Sequence, residues 1–213
     1  MSVDASAVER LLENRLVAIV RLDDHELAVA AAAVAIEAGV KTVELTFTIP
    51  RASAAIERLR SNYPTTLVGA GTIRQMSELE DAAAAGAQFL VAPGLNPLLI
   101  DAAGKLGLPM LPGVFTASEI DLALRLGVEV LKLFPAEPAG PRYLASLLQP
   151  FPQARLVPTG GVSTANAVAY LAAGAVAIAM GSSLFPARRI VADGPQVVEA
   201  LVAEALSTLQ SAD

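Results

Sequence analysis

A lysine interrupts an apolar stretch that has the length of a strand rather than of a helix. Lys132 lies in the run Val128–Leu133. Strand alternation places it on the same face as Val130 and Phe134. Desolvation among apolar side chains lowers the pKa of a lysine, and a neutral amine is what nucleophilic attack on a ketone requires. The spacing equally allows a lysine paired with a carboxylate for stability, or one that extends its amine out of the strand.

A glutamate holds the matching position in another predicted strand. Glu44 shares one strand face with Thr42 and Thr46. A carboxylate inside the fold and next to a lysine could move protons during imine formation and carbon–carbon bond cleavage. Glu44 could also be merely the buried salt-bridge partner of Lys132. The residues alone leave both interpretations open.

Two glycine-rich turns precede predicted helix starts. They are Thr159–Gly160–Gly161 and Gly181–Ser182–Ser183. In (β/α)8 barrels the loops after the last two strands often bind phosphate through backbone N–H groups and a helix N-terminus. A tight turn explains any single pair of glycines, but two such turns after the expected strands favour a phosphate site.

Two further residues stand near these strand ends. Arg21 ends the first predicted strand and could bind a carboxylate in bidentate fashion, although an ordinary surface arginine would look the same. His25 follows near a helix start, where we expect a solvated first-turn residue without a role. The chain has this one histidine and no cysteine, which removes most zinc sites and every Ser–His or Cys–His relay that lacks His25.

Composition excludes several classes of protein. The net charge is −6 and no cluster of Lys and Arg appears, so we expect no nucleic-acid partner. Although 54% of the residues are hydrophobic, no uncharged apolar run approaches the roughly 18 residues of a membrane span. The first residues include Asp4, Glu9 and Glu13, which a secretory signal would not carry. We therefore expect a cytoplasmic protein that is not bound to a membrane.

Short β-rich apolar runs alternate with Ala-rich amphipathic segments along the chain. The predicted strands are Leu16–Val20, Thr42–Phe47, Thr66–Ala70, Gln88–Ala92, Pro109–Leu111, Val128–Leu133, Arg155–Val157 and Val176–Met180. The predicted helices between them include Glu26–Ala38, Arg51–Ser61, Met76–Ala85, Pro97–Leu106, Ala117–Leu126 and Ala165–Ala173. Their predicted starts are Asp24, Ser77, Asn96, Thr116 and Ser163 or Thr164.

Strands that alternate with helices imply parallel pairing with right-handed crossovers. The possible architectures are a closed barrel and an open doubly wound sheet. The βα units are uniform, recur every roughly 20 to 26 residues and cover the whole chain, which favours the barrel. We predict an α/β fold: a single (β/α)8 TIM barrel domain over residues 1–213, with an extra N-terminal helix, Val3–Asn14, that could cap its bottom. Barrel active sites lie at the carboxyl ends of the strands, where Arg21, Glu44 and Lys132 stand.

These motifs, in this order, resemble the 2-keto-3-deoxy-6-phosphogluconate aldolases, also called 4-hydroxy-2-oxoglutarate aldolases. The resemblance extends from about Leu16 to Pro186. The matching segments are VELT at 43–46, VGAGT at 68–72, GAQF at 86–89, APG at 92–94, LPG at 111–113, LKLFPAE at 131–137, PTGG at 158–161 and GS at 181–182. The set is specific together, and each segment alone is weak.

The resemblance implies a class I aldolase of carbohydrate metabolism, in the Entner–Doudoroff route, that releases pyruvate through a lysine Schiff base. It places the Schiff-base lysine on Lys132 and the proton-transferring glutamate on Glu44. It implies a phosphorylated keto-acid substrate that contacts Thr72, Pro93, Phe134, Gly160, Gly161 and Ser182, with Thr159 and Gly181 in the same turns. Members of the family are homotrimers and need no metal or cofactor.

One position departs from the common pattern of the family. Many members carry an arginine four residues after the glutamate, where this chain has Thr48. Other members share this threonine and carry an arginine at the end of the first strand, where Arg21 stands. The resemblance therefore assigns anion binding to Arg21.

Other functions remain open from the residues. A sugar-phosphate isomerase or epimerase would use Glu44 as enolising base and Lys132 as electrostatic aid. A non-catalytic barrel that binds phosphorylated metabolites would keep the two residues as a structural pair. A metal-dependent aldolase is a weaker alternative, because the sequence lacks a histidine cluster.

Overall fold

The computed structural model of the chain describes residues 5–211 and has an α/β architecture of parallel strands. The strands are β1 (Leu16–Val20), β2 (Thr42–Thr46), β3 (Leu67–Gly71), β4 (Leu90–Val91), β5 (Met110–Leu111), β6 (Gly113–Val114), β7 (Val130–Leu133), β8 (Arg155–Pro158) and β9 (Ile178–Met180). The helices are α1 (Ala5–Asn14), α2 (His25–Glu37), α3 (Ala52–Asn62), α4 (Met76–Ala84), α5 (Pro97–Lys105), α6 (Ala117–Arg125), α7 (Gly140–Leu148), α8 (Thr164–Ala172), α9 (Ala187–Asp193) and α10 (Val197–Gln210). Within residues 5–211, no helix is long and apolar enough to cross a membrane.

The strands form two parallel sheets that meet at both of their edges. One sheet has the order β5-β4-β3-β2-β1-β9 and the other has the order β6-β7-β8. A backbone bridge between Thr159 and Ala179 connects the end of β8 to β9. At the other edge, Pro112 alone separates β5 from β6, and its carbonyl accepts a hydrogen bond of 3.0 Å from the Lys132 amide. The carboxyl ends of all these strands therefore face one region.

Pro112 explains the main difference between predicted and observed strands. Each predicted strand segment overlaps a strand, but a further short strand, β6, follows Pro112. Proline has no N–H to donate, so regular pairing stops there and resumes one residue later with a different neighbour. As a result β5 pairs with β4, whereas β6 pairs with β7.

The helix starts follow the capping chemistry of the sequence, with one exception. Asp24 and Asn96 accept backbone N–H groups, and Thr116 and Ser163 form capping boxes, as predicted. The start at Ser77 is wrong, because α4 begins after the extended residue Gln75 and already contains Ser77. Its first turn is fixed instead by a glutamate that accepts the Arg74 amide at 2.6 Å. The helices α7, α9 and α10 were not among the segments predicted.

Buried side chains separate into an outer and an inner cluster. The outer cluster lies between the helices and the strands. The inner cluster joins α1 to alternate residues of the strands: Ala7, Val8, Leu11, Val17, Ile19, Leu67, Phe89, Val91, Leu111, Val130, Val157, Ala177 and Ala179. The segment Val3–Asn14, predicted as an additional helix, includes α1, while residues 3 and 4 lie outside the described residues. This inner cluster shares its strand faces with Lys132 and Glu44.

Leu11 should contribute strongly to stability, because it is 1% exposed and belongs to the inner cluster. We expect Leu11→Ala to lower the free energy of unfolding by roughly 2 to 5 kcal/mol through lost burial and the cavity left behind. Urea unfolding measures this change. Leu98→Ala is the matched control, because Leu98 is 72% exposed and its truncation should cost less than about 0.5 kcal/mol. Equal effects of the two variants would show that α1 does not hold the inner cluster together.

Candidate active site

Lys132 lies in the middle of β7 and points into the interior with the inner cluster. The residue is 5% exposed, and its neighbours across the sheet are Gly113 in β6 and Val157 in β8. Its amine nitrogen, Nζ, is 5.1 Å from the centre of the Phe134 ring. Gly113 leaves room for the carbonyl of Pro93, which a Cβ at that position would strike. The strand next to Lys132 therefore packs closely against the residues after β4.

Glu44 lies in the middle of β2 and is buried, at 2% exposure. Its Oε1 atom has no hydrogen-bond partner among the described residues. Gly71, at the end of the adjacent β3, gives the carboxylate its space, since a Cβ there would collide with it. Burial raises the pKa of Glu44 above its ordinary value, while the charges of Lys132 and Arg21 act in the opposite direction.

The relation between Lys132 and Glu44 bears on the interpretation of both as a structural pair. They lie on strands of different sheets and interact electrostatically. Among the described residues, no hydrogen bond or direct ion pair joins the amine to the carboxylate. A pair retained for stability would satisfy the buried carboxylate by direct contact. The observed geometry lacks that direct contact.

A cavity of about 310 Å³ opens above Lys132 at the carboxyl ends of the strands. It is lined by predicted site residues from both sheets: Arg21, Lys132, Phe134, Thr159, Gly160, Gly161, Gly181 and Ser182. Four lining residues were not predicted: Ile19, Val162, Phe185 and Ala187. Strand alternation from Arg21 back to Ile19 could have identified the first. Phe185 lies in the loop before α9 and Ala187 is the first residue of that helix, where no periodic signal marks them.

Arg21 reaches the cavity from the end of β1 and contacts a second predicted residue. Its guanidinium donates a hydrogen bond of 3.1 Å to the Thr72 hydroxyl. Thr72 has a φ of 61°, a left-handed conformation that costs a β-branched residue energy and that tends to occur at functional sites. The structure thus brings Arg21 and Thr72 together beside the buried Glu44.

The turn at Thr159–Gly161 is held in place by its neighbours on two sides. The amides of Ala136 and Glu137 donate to the carbonyls of Thr159 and Gly160 at 2.8 and 2.9 Å. The Ser183 hydroxyl donates to the Val162 carbonyl at 2.8 Å, which ties this turn to the loop after β9. Gly160 and Gly161 have φ values of 88° and 75°, which only glycine adopts readily. The two predicted glycine turns therefore form one surface.

Glu44 and Thr72 do not line this cavity, and neither does the third predicted site residue outside it, Pro93. It lies after β4 and borders a neighbouring hollow of about 210 Å³, together with Ile73, Arg74, Gly94, Leu95, Asn96 and Leu99. Its carbonyl packs against the backbone of Gly113, so it contacts the strand next to Lys132.

Among the described residues, no group of three or more His, Asp or Glu side chains could hold a metal ion.

These features define a class of site: a buried lysine inside a parallel α/β fold, opening into a cavity lined by an arginine and glycine turns. Comparison with known proteins identifies the family. Residues 7–201 match the family of KDPG and KHG aldolases, named for 2-keto-3-deoxy-6-phosphogluconate and 4-hydroxy-2-oxoglutarate. This chain belongs to that family.

Individual relatives cover nearly the whole chain. A 2-dehydro-3-deoxy-phosphogluconate aldolase of Treponema pallidum is 37% identical over 199 residues, covering 93% of this chain and 95% of its own. A KHG/KDPG aldolase of Escherichia coli is 36% identical over 202 residues, with 94% and 95% covered. The crystal structure of a KDPG aldolase from Legionella pneumophila, with pyruvate captured as a covalent carbinolamine, superposes with a TM-score of 0.85 at 30% identity and covers 92% of this chain and 96% of its own.

The raised pKa of Glu44 predicts a pH dependence of stability. The folded state keeps this proton to a higher pH than the unfolded chain does, so stability falls as the pH rises from about 4.5 through the raised pKa. Glu44→Gln replaces the carboxyl with a group that does not titrate, so this fall in stability with rising pH should not occur in the variant. The variant should therefore gain stability relative to the wild type as the pH rises through this window, and the gain should vanish at lower pH.

Urea unfolding at a series of pH values measures this difference, and each unit of pKa difference corresponds to about 1.4 kcal/mol. Glu199→Gln on α10 serves as the control, because it removes an exposed carboxylate by the same substitution. If the two variants differ from the wild type by the same amount at every pH, the carboxyl of Glu44 does not have the raised pKa.

Proposed function

We propose that this chain is a class I aldolase, an aldehyde-lyase that cleaves 2-keto-3-deoxy-6-phosphogluconate or a close 2-keto-3-deoxy or 4-hydroxy-2-oxo acid. The products are pyruvate and an aldehyde, which is glyceraldehyde 3-phosphate for the phosphorylated substrate. The observation that carries this proposal is Lys132, buried at the floor of a cavity and free of any direct carboxylate partner among the described residues. Membership of the aldolase family supports it, as does the pyruvate carbinolamine of the Legionella relative.

The first half of the proposed reaction joins the substrate to Lys132. The uncharged amine attacks the C2 ketone, and the former carbonyl oxygen takes up a proton to give a carbinolamine. Loss of that oxygen as water leaves a cationic imine. Glu44 is suited to deliver and collect the protons of these steps, because its raised pKa lets the carboxyl hold a proton nearer to neutral pH.

The second half breaks the C3–C4 bond. A base, which we assign to Glu44, removes the proton of the C4 hydroxyl, whose electrons form the aldehyde carbonyl. The electrons of the C3–C4 bond move into the imine, which becomes an enamine. Protonation of the enamine at C3 and addition of water then release pyruvate and regenerate the amine. Covalent catalysis thus divides one difficult cleavage into easier steps.

The residues around the cavity suit the two ends of such a substrate. Arg21, supported by Thr72, is placed to bind the carboxylate next to C2. The turns with Gly160, Gly161, Gly181 and Ser182 offer backbone N–H groups and a hydroxyl to a phosphate. Phe134 and Thr159 form walls between them. We assign Pro93 an indirect part, since it packs beside the strand next to Lys132.

We also infer the wider architecture. The bridge from Thr159 to Ala179 and the single residue between β5 and β6 support closure of the two sheets into one (β/α)8 barrel, with α1 across its amino-terminal end. The contiguous clusters support one domain over residues 1–213. The homotrimer, the absence of a cofactor, the Entner–Doudoroff route and the cytoplasmic location stay predictions.

Borohydride should trap pyruvate on Lys132 alone. The chain has three lysines, Lys41, Lys105 and Lys132, so peptide mass spectrometry can assign a reduced pyruvate adduct without ambiguity. We expect one adduct per chain, on Lys132, and none in Lys132→Arg. The control variants Lys41→Arg and Lys105→Arg should be labelled like the wild type.

The same experiment separates the alternatives. An isomerase or epimerase that uses Lys132 only as an electrostatic aid would bind phosphorylated sugars without forming an adduct. A barrel that merely binds metabolites would neither be trapped nor release pyruvate. An adduct on Lys41 or Lys105 would also contradict the proposed role of Lys132.

Ser182→Ala should weaken the binding of phosphorylated substrates specifically. Losing one hydrogen bond to a charged phosphate should raise KM roughly tenfold or more for a phosphorylated keto acid. The KM for 4-hydroxy-2-oxoglutarate and the trapping of pyruvate should change little, because neither involves a phosphate. Steady-state assays of pyruvate release with both substrates measure this difference. An equal rise in KM for the two substrates would place the phosphate elsewhere.

A further inference from the structure

Side-chain hydrogen bonds connect the carboxyl ends of β1 and β2 next to Arg21. The Thr46 hydroxyl donates to the Val20 carbonyl at 3.2 Å. The same hydroxyl oxygen lies 2.8 Å from the hydroxyl oxygen of Thr48. Thr46 is fully buried, whereas Thr48 is exposed at the surface of the following turn.

Counting protons fixes the direction of these bonds. A hydroxyl group carries one proton, and a carbonyl can only accept. Because the Thr46 hydroxyl donates its proton to the Val20 carbonyl, the hydroxyl of Thr48 must be the donor in the bond between the two threonines. The chain of donors therefore starts at Thr48, passes through Thr46 and ends at the Val20 carbonyl. Thr46 is buried, so another donor does not readily replace Thr48.

This chain of bonds ends on the peptide group that carries Arg21. The Val20 carbonyl belongs to the peptide bond between Val20 and Arg21. The guanidinium of Arg21 is fixed separately, by its bond to Thr72. The Phe47 amide donates to the Gly71 carbonyl at 2.7 Å, which ties the end of β2 to the residue before Thr72. The backbone of Arg21 is thus connected to the end of β2 through Val20, and its guanidinium is connected there through Thr72 and Gly71.

His25 contributes a second tie to this segment. Its Nδ1 atom lies 3.2 Å from the Pro50 carbonyl and must be the donor, since a carbonyl only accepts. The side chain is 11% exposed, so the predicted solvated histidine is wrong. This tie joins the start of α2, four residues after Arg21, to the turn that follows Thr48. The turn is therefore anchored at both of its ends.

We propose that Thr48 is a positioning residue for Arg21. Its hydroxyl acts through Thr46 and the Val20 carbonyl to fix the direction in which β1 presents the arginine to the cavity. Thr48 itself does not line the cavity. This inference rests on the proposed function, in which Arg21 binds the carboxylate of the keto acid.

Enzyme assays on four variants and one control variant test this inference. Thr48→Val removes the first donor and should raise KM for the keto acid about fivefold, the effect of about one neutral hydrogen bond, while kcat stays within about twofold. Thr48→Ser keeps the hydroxyl and should restore the KM of the wild type. Arg21→Ala should raise KM further, and Thr48→Val should add nothing in that background. Thr208→Val on α10 is the matched control, because its hydroxyl bonds only within its own helix.

Each departure from this pattern has its own meaning. A KM that rises in Arg21→Ala but not in Thr48→Val overturns the inference and leaves the proposed function intact. The inference is also overturned if Thr48→Ser does not restore the KM of the wild type, or if Thr48→Val raises KM further in the Arg21→Ala background. In either case the threonine would act on general stability. Unchanged KM in Arg21→Ala, with pyruvate still trapped on Lys132, overturns both the binding role of Arg21 and this inference but not the Schiff-base chemistry.

Discussion

The burial of the Glu44 carboxyl group is the constraint on which the arrangement of the site depends. Transfer of a carboxylate out of water is costly unless hydrogen bonds or a close cation compensate, and Oε1 of Glu44 has no such bond among the described residues. Burial therefore raises the pKa of Glu44, which favours the uncharged carboxyl over the carboxylate. It must also keep the carboxyl in place, which explains why the adjacent strand presents Gly71, where any side chain would displace it.

The two sheets bring different halves of the chemistry to one place. The larger sheet supplies Arg21, Glu44 and Thr72, whereas the smaller one supplies Lys132 and the turn that starts at Thr159. The site therefore exists only where the sheets meet, and the bridge after β8 and the continuity at Pro112 fix that meeting. The inner apolar cluster packs beneath both halves and contacts strands of both sheets. This support matters because the lysine and the glutamate interact without direct contact.

The sequence reveals whatever depends on strand alternation and capping. Lys132 and Glu44 were recognisable because each charge interrupts a buried strand, and the glycine turns because they follow predicted strands. The break at Pro112, the left-handed Thr72 and the place of Pro93 depend on how neighbouring loops pack, which no local period encodes. His25 shows the same limit: a histidine in a first helical turn is usually solvated, and only the approach of the turn after β2 buries it.

Local charge resolves the conflict between an acidic protein and an anionic substrate. The net charge of −6 repels anions at long range, yet the ionisable side chains among the described residues that line the cavity are an arginine and a lysine, Arg21 and Lys132, and none is acidic. The raised pKa of Glu44 reduces the negative charge that would otherwise stand beside these two side chains. An anion bound there would raise the pKa of Glu44 further, and the cationic imine would then lower it. Substrate binding would therefore favour the protonated carboxyl, and formation of the imine would favour release of the proton at the stage when a base is needed.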